Sequence, residues 1–337
     1  MQTHQHGGDI KAFSQEIGCE IHEVIDLSSN INFVKPTIDI DFNSLDISAY
    51  PNYDELYESI AKLYHVKTSQ IELFNGATTA IYSLFREANL KHCTLYAPCY
   101  LEYEKSARLY GYEVNYINRL SNINQEVKEK SLVIFVNPST PDGKFYELEK
   151  LMQKWIEKEC TILVDESFLD FTPFESVTKY LKEYDKLYIL KSMTKFYGSA
   201  GIRIGAIISS SNNIKELQKK EPLWKISQFD SHYLQSALRD KEFVLKARML
   251  NDKHREYLIG ILEKCDDVEE VYPSCANFVL LKLKNIDAKT FQEKLKAHKI
   301  MVRNCANFEF LDESFVRIAV KDMEALRSLE YGLETEK

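Results

Sequence analysis

Residues 192–205 read S-M-T-K-F-Y-G-S-A-G-I-R-I-G, and the architecture of the chain turns on this stretch. Lys195 stands among small and hydroxylated residues, with a second cation, Arg203, eight positions further on. The tail runs into the apolar residues 204–208, the pattern of a buried strand. Small residues let a backbone approach a ligand closely, and Ser192, Thr194 and Arg203 can converge on a phosphate. An isolated lysine is ordinarily a solvated surface group. One desolvated beside other cations titrates lower than free lysine and can act as a nucleophilic amine.

Upstream, D-E-S-F-L-D-F begins at Asp165, after the apolar residues 161–164. Either Asp165 or Glu166 therefore ends a strand at the carboxyl edge of a sheet, where open α/β sheets bind ligands. Taken alone, such an acid can equally cap the next helix. N-P-S-T-P-D-G (137–143) follows another apolar run, and Asn137 at its start can hydrogen-bond a ligand, although the segment also reads as a plain loop. F-N-G-A-T-T (74–79) turns from strand to helix, so the Ala77 and Thr78 amides at that helix start suit a phosphate. Tyr100, in A-P-C-Y, can stack on a ring or simply fill the core. One strand that delivers an acid and a later one that delivers a lysine together meet the needs of pyridoxal phosphate. The lysine forms a Schiff base, the acid pairs with the pyridinium nitrogen, and hydroxyls with arginine hold the phosphate.

The remaining sequence sets the frame. The chain has 337 residues, 45% of them hydrophobic, enough for one large core and a smaller one. Its net charge of −8 argues against a nucleic-acid surface. The seven cysteines form no C-x-x-C pair and read as reduced thiols. No basic leader, apolar h-region or membrane-length apolar run is present, which points to a cytoplasmic protein without membrane or nucleic-acid partners. No metal site is expected. Strands are predicted at 71–74, 93–97, 113–117, 132–136, 161–164, 187–190 and 204–208, with helices at 54–64, 78–87, 101–109 and 148–157 between them. This alternation predicts an α/β fold with a mostly parallel central sheet covered by helices on both faces. Beyond residue 210 the texture changes. A helix over 231–264, strands at 278–283, 300–303 and 315–320, and helices at 288–298 and from 322 describe a smaller C-terminal α+β lobe. The segment before residue 54 is irregular and is expected to wrap the structure.

These segments, in this order, resemble the fold-type I pyridoxal phosphate enzymes of the class I/II aminotransferase superfamily over essentially the whole chain. The resemblance implies that Lys195 carries the cofactor, Asp165 pairs with its ring nitrogen and Asn137 contacts its phenolic oxygen. It implies stacking by Tyr100 and a phosphate cradle of Ala77, Thr78, Ser192 and Arg203. Tyr50, in A-Y-P-N-Y, resembles the tyrosine that reaches the phosphate across a homodimer interface. The implied organisation is an arm (1–53), a large cofactor-binding domain (54–230) and a connecting helix with a small domain (231–337).

Within the superfamily the chain is similar to threonine-phosphate decarboxylases and to histidinol-phosphate aminotransferases. H-G-G-D-I from His6, D-L-S-S-N-I-N (26–32) and the segment 302–320 resemble the decarboxylases. Phe168 points the same way, because histidinol-phosphate enzymes commonly carry a tyrosine there. By resemblance, His6, Asn30, Asn137, Arg303 and Arg317 bind a phosphorylated substrate. The implied reaction is decarboxylation of L-serine phosphate or L-threonine phosphate. Glu309-Phe310 in place of Pro-Gly, and Gly198-Ser199-Ala200 in place of a bulkier stretch, leave the choice between these substrates open. The alternative is an aminotransferase for a substrate such as histidinol phosphate. A cofactor-sensing regulator is disfavoured by the short arm and the acidic charge.

Overall fold

The computed structural model describes residues 7–335. Its seven-stranded central sheet runs in the order Ile71–Asn75, Ile204–Ile208, Leu187–Ser192, Thr161–Asp165, Leu132–Val136, His92–Ala97, Glu113–Asn118. Ile204–Ile208 lies antiparallel to both neighbours, and the other pairings are parallel. The predicted strands are present, extended by up to two residues. All five residues of Leu132–Val136 are buried, as in a strand covered on both faces. On one face Leu56, Ile60, Met152, Trp155 and Phe243 pack together. On the other, Ile81, Leu84, Phe85, Tyr103 and Ala107 do. Helix Asp54–Tyr64 has the predicted bounds, with Leu56, Ile60, Ala61 and Tyr64 buried.

The C-terminal lobe holds an antiparallel sheet in the order Arg303–Asn304, Phe315–Ala319, Phe278–Leu283, Val268–Val271. Leu258, Phe291, Leu295 and Leu326 from three helices cover it. Two expectations need correction here. The helix predicted over 231–264 is two helices, Gln228–Arg239 and Phe243–Leu262. Asp240 separates them: its Oδ1 accepts from the amides of Glu242 and Phe243, and its Oδ2 accepts from Thr37 N at 2.8 Å. An aspartate that satisfies local amides in this way competes with helix continuation. The strand predicted over 300–303 is also two pieces. Ile300–Met301 pairs in parallel with Ile25–Asp26, whereas Arg303–Asn304 joins the lobe sheet through Phe315–Ala319. Val302 between them is buried in the lobe core.

The N-terminal segment does wrap. It places Leu27 in the lobe core and Val34 in the large core, so it laces the two together. All seven cysteines are free, four buried and three half-buried. Among the described residues no helix is long and apolar enough to cross a membrane.

Candidate active site

Strands Thr161–Asp165 and Leu187–Ser192 end side by side, and a cavity of about 430 Å³ opens at that edge against the C-terminal lobe. Lys195, Asp165, Ser192, Ala77, Thr78, Tyr100, Arg203, Asn30, Arg303 and Arg317 all line it. Residues from across the chain are thus brought to one place.

The structure decides between the two candidate acids. Asp165 faces the cavity, its Oδ2 accepting from the Tyr103 hydroxyl at 2.7 Å and its Oδ1 from Ser167 N at 2.8 Å. Glu166 points away and forms a buried ion pair with Lys191 at 2.6 Å. Tyr103 was not read from the sequence as a site residue. It sits in the first turn of helix Glu102–Leu109, just after Tyr100, and no local signal marks it.

Lys195 lies in the short helix Met193–Phe196, with Nζ 4.3 Å from the centre of the Phe168 ring. Burial pulls its ammonium down to about 8; Asp165 opposes that shift, while Arg317 and Arg203 add to it. About a tenth of the amine is therefore neutral at pH 7 and about half near pH 8. Asn32 holds this turn in place: its backbone N donates to Lys195 O (3.0 Å) and its Nδ2 to Phe196 O (2.7 Å). That role is a second one missed in the sequence, where Asn30 drew attention. Asn30 lines the cavity, and its carbonyl accepts from Asn277 Nδ2.

At one end, helix Ala77–Ala88 presents its first amides, which have no partner within the helix. Ser192 and Thr194 hydroxyls lie 3.0 Å apart beside them, and Thr78 and Tyr100 hydroxyls 3.3 Å apart. Two glycines make this end possible. A Cβ on Gly76, where φ is +81°, would fall 2.4 Å from Arg203 Nη2. One on Gly205 would fall 2.4 Å from Ala77 N. The guanidinium and helix start therefore close around a space suited to a phosphate.

At the other end, Arg303 and Arg317 are direct cross-strand partners. Like charges directly opposite repel, so the pair is suited to an anion between them. Arg317 is 7% exposed, and its Nη1 and Nη2 donate to Thr140 Oγ1 (3.2 Å) and Ser28 O (3.1 Å). Its Nε has no hydrogen-bond partner, and no carboxylate among the described residues forms an ion pair with it. Burial pulls Arg317 down to about 10 and shifts Arg303 in the same direction. Arg303 Nη2 bonds Asn307 Oδ1 at 2.8 Å.

Three expected site residues stand apart. Asn137 is not part of the cavity lining: its amide pairs on both sides with the Tyr146 backbone, at 2.9 and 3.0 Å, and closes the loop after its strand. Tyr50 is 74% exposed and stacks on Trp224 at 4.1 Å, outside the cavity of its own chain. His6 lies outside the described residues.

Residues 23–329 match the family described as aminotransferase class I and II. The chain belongs to that family. A protein of Caldanaerobacter subterraneus subsp. tengcongensis, provisionally named a threonine-phosphate decarboxylase, is 30% identical, with 100% of this chain and 97% of that one covered. The histidinol-phosphate aminotransferase of Clostridium acetobutylicum superposes with a TM-score of 0.82 at 30% identity, over 92% of this chain and 98% of that one. That of Sinorhizobium meliloti, solved with pyridoxal-5'-phosphate, gives 0.80 at 16% identity, over 98% and 94%. The cofactor of this family member is pyridoxal 5'-phosphate. The residues present fit it: a buried acid fixed by two donors, a lysine with depressed basicity, and a cradle that a single Cβ would fill.

Proposed function

We propose that this enzyme decarboxylates an O-phospho-L-amino acid, serine phosphate or threonine phosphate. The Cα–carboxylate bond breaks, CO₂ leaves, and a proton takes its place on Cα, giving the phosphate ester of an amino alcohol. The Arg303–Arg317 pair carries the phosphorylated-substrate part of this reading, because it offers a second anion site in the same cavity. An aminotransferase for a phosphorylated substrate would use the same pair, so the choice of decarboxylation rests elsewhere. Phe168 beneath Lys195 supports it, since the phenylalanine offers no hydroxyl at that position.

When bound, the cofactor supplies an electron sink for a bond broken at the substrate's α-carbon. In this reading the cradle of Ala77, Thr78, Ser192 and Arg203 holds its phosphate, and Asp165 faces its ring nitrogen. Lys195, with a substantial neutral fraction near pH 8, is the group able to accept or return a proton at Cα. Arg303 and Arg317 anchor the distal phosphate and so restrict rotation about Cα. Binding energy far from the reacting bond thereby selects which bond is presented for cleavage. The same reading pairs two copies of the chain: exposed Tyr50, Trp224, Ile47 and Leu223 offer an apolar face for the partner.

The distal site is tested with O-phospho-L-serine and O-phospho-L-threonine against unphosphorylated L-serine and L-threonine. Two charge-assisted contacts are worth ~4 kcal/mol together, so kcat/KM falls ~1000-fold without the phosphate. Equal turnover of both forms overturns the reading.

A further inference from the structure

We propose that Ser28 is a positioning residue for Arg317, and that the Gly7–Gly8 strap acts on the anion site through it. This inference rests on the reading of Arg317 as a phosphate-binding residue. Leu27 bridges the chain just before one arginine-bearing strand and the end of the other, beyond the point where the two strands pair. Leu27 N donates to Met301 O at 2.9 Å, and Ala319 N donates to Leu27 O at 2.8 Å. Those contacts lie two residues from Arg303 and from Arg317.

Ser28 is 1% exposed, and each of its polar groups has a partner. Its backbone N and its hydroxyl donate to Asp26 Oδ1 at 2.9 and 2.7 Å. The hydroxyl accepts from Gly8 N at 2.8 Å, and the carbonyl accepts from Arg317 Nη2 at 3.1 Å. The strap lies flat on this residue. A Cβ on Gly7 would stand 2.6 Å from Ser28 O, and Gly8 has φ +93°. Only glycine allows that approach, and both glycines form part of the cavity wall.

The Ser28 peptide is thus gripped from one side by the strap and from the other by the guanidinium. With Nη1 and Nη2 held by Thr140 and Ser28, Nε is the buried donor without a partner. Anion binding at Arg317 and seating of the strap therefore share one residue, and each favours the other by the same factor.

The test uses the cofactor-loaded protein, in which inorganic phosphate probes the distal site, with hydrogen exchange read at Gly7–Gly8. Phosphate is expected to slow that exchange in the parent protein. Ser28→Ala keeps the carbonyl but loses the hydroxyl link, and is expected to weaken phosphate binding about tenfold and to abolish the protection. Gly7→Ala, which forces the strap away without altering Ser28, is expected to weaken binding by a similar factor. The double variant should be no weaker than the worse single one. An unchanged cofactor absorbance band shows that each variant retains the fold around Lys195, and Gly7→Ala serves if Ser28→Ala does not fold. Phosphate that binds both single variants as well as the parent, or effects that multiply in the double variant, overturns the inference. Phosphate that fails to bind the parent, or binds Arg317→Gln equally well, overturns the reading of Arg317 itself.

Discussion

Replacing Arg317 by methionine should leave the stability of the substrate-free protein nearly unchanged while destroying its response to phosphate. Burial pulls this guanidinium down to about 10, well below its ordinary range. Both folded and unfolded chains are protonated at pH 7, so the folded protein bears the whole penalty, on the order of 3 kcal/mol. Since the folded value lies below the unfolded one, that penalty is present below pH 10 and is relieved as pH rises above about 10. Against it stand the bonds to Thr140 and Ser28, ~1 kcal/mol each, and packing of the guanidinium 5.0 Å above the Phe278 ring. Arg317→Met, similar in volume and apolar, removes that penalty but leaves Ser28 O and Thr140 Oγ1 without this donor. The net change is therefore within ~1 kcal/mol of zero, at most ~3 °C in melting temperature. Phosphate at 100 times its Kd should stabilise the parent holoenzyme by ~2.7 kcal/mol and the variant hardly at all. Scanning fluorimetry of both proteins, with and without phosphate, reads all four values. A variant that loses more than ~2 kcal/mol and still responds to phosphate like the parent would show that Arg317 is a structural residue, and the reasoning would fail.

Lys195 makes a pH prediction whose sign follows from its lowered basicity. The folded protein releases the ammonium proton near pH 8 and the unfolded chain near 10.5, so cofactor-free stability rises across that window. Relative to Lys195→Met, the gain should approach ~3 kcal/mol in denaturant titrations, and a flat difference would contradict the assigned environment. Gly76→Ala should drive Arg203 out of the cradle and weaken cofactor binding at least ~10-fold, as measured by absorbance titration; unaltered affinity would show that the cradle does not hold the cofactor. Tyr103→Phe removes the hydroxyl 2.7 Å from Asp165 and should destabilise the cofactor-free protein by ~2 kcal/mol in urea; no change would mean that Asp165 does not depend on that donor.

The parts of this molecule that are legible in its sequence are those encoded locally. Residues 132–136 and 204–208 are continuous apolar runs, and a strand buried on both faces needs little more. The phosphate cradle is similarly local, because Ala77 and Thr78, and Ser192 and Arg203, each sit within one short segment at a strand end. Arg303 and Arg317 are visible as residues, but their cross-strand register belongs to the folded lobe. Bonds such as Tyr103 to Asp165, 62 residues apart, or Asn32 to Phe196, 164 apart, have no local signature. Asp240 misled the helix reading for a related reason. Its carboxylate serves Thr37, more than 200 positions away, as well as its own neighbours. Phe310 carries a trace legible only afterwards: it holds φ +68°, a conformation glycine adopts freely, where Pro-Gly stands in the resembling decarboxylases.

The central claim concerns which bond at the α-carbon is broken, and one incubation tests it. Holoenzyme is mixed with carboxyl-labelled O-phospho-L-serine or O-phospho-L-threonine in the absence of any 2-oxo acid, and headspace CO₂ and amine product are quantified together. The account predicts labelled CO₂ in equal amount to ethanolamine phosphate or aminopropanol phosphate. Retention of the label, with turnover seen only when histidinol phosphate and 2-oxoglutarate are supplied, would contradict it and identify an aminotransferase.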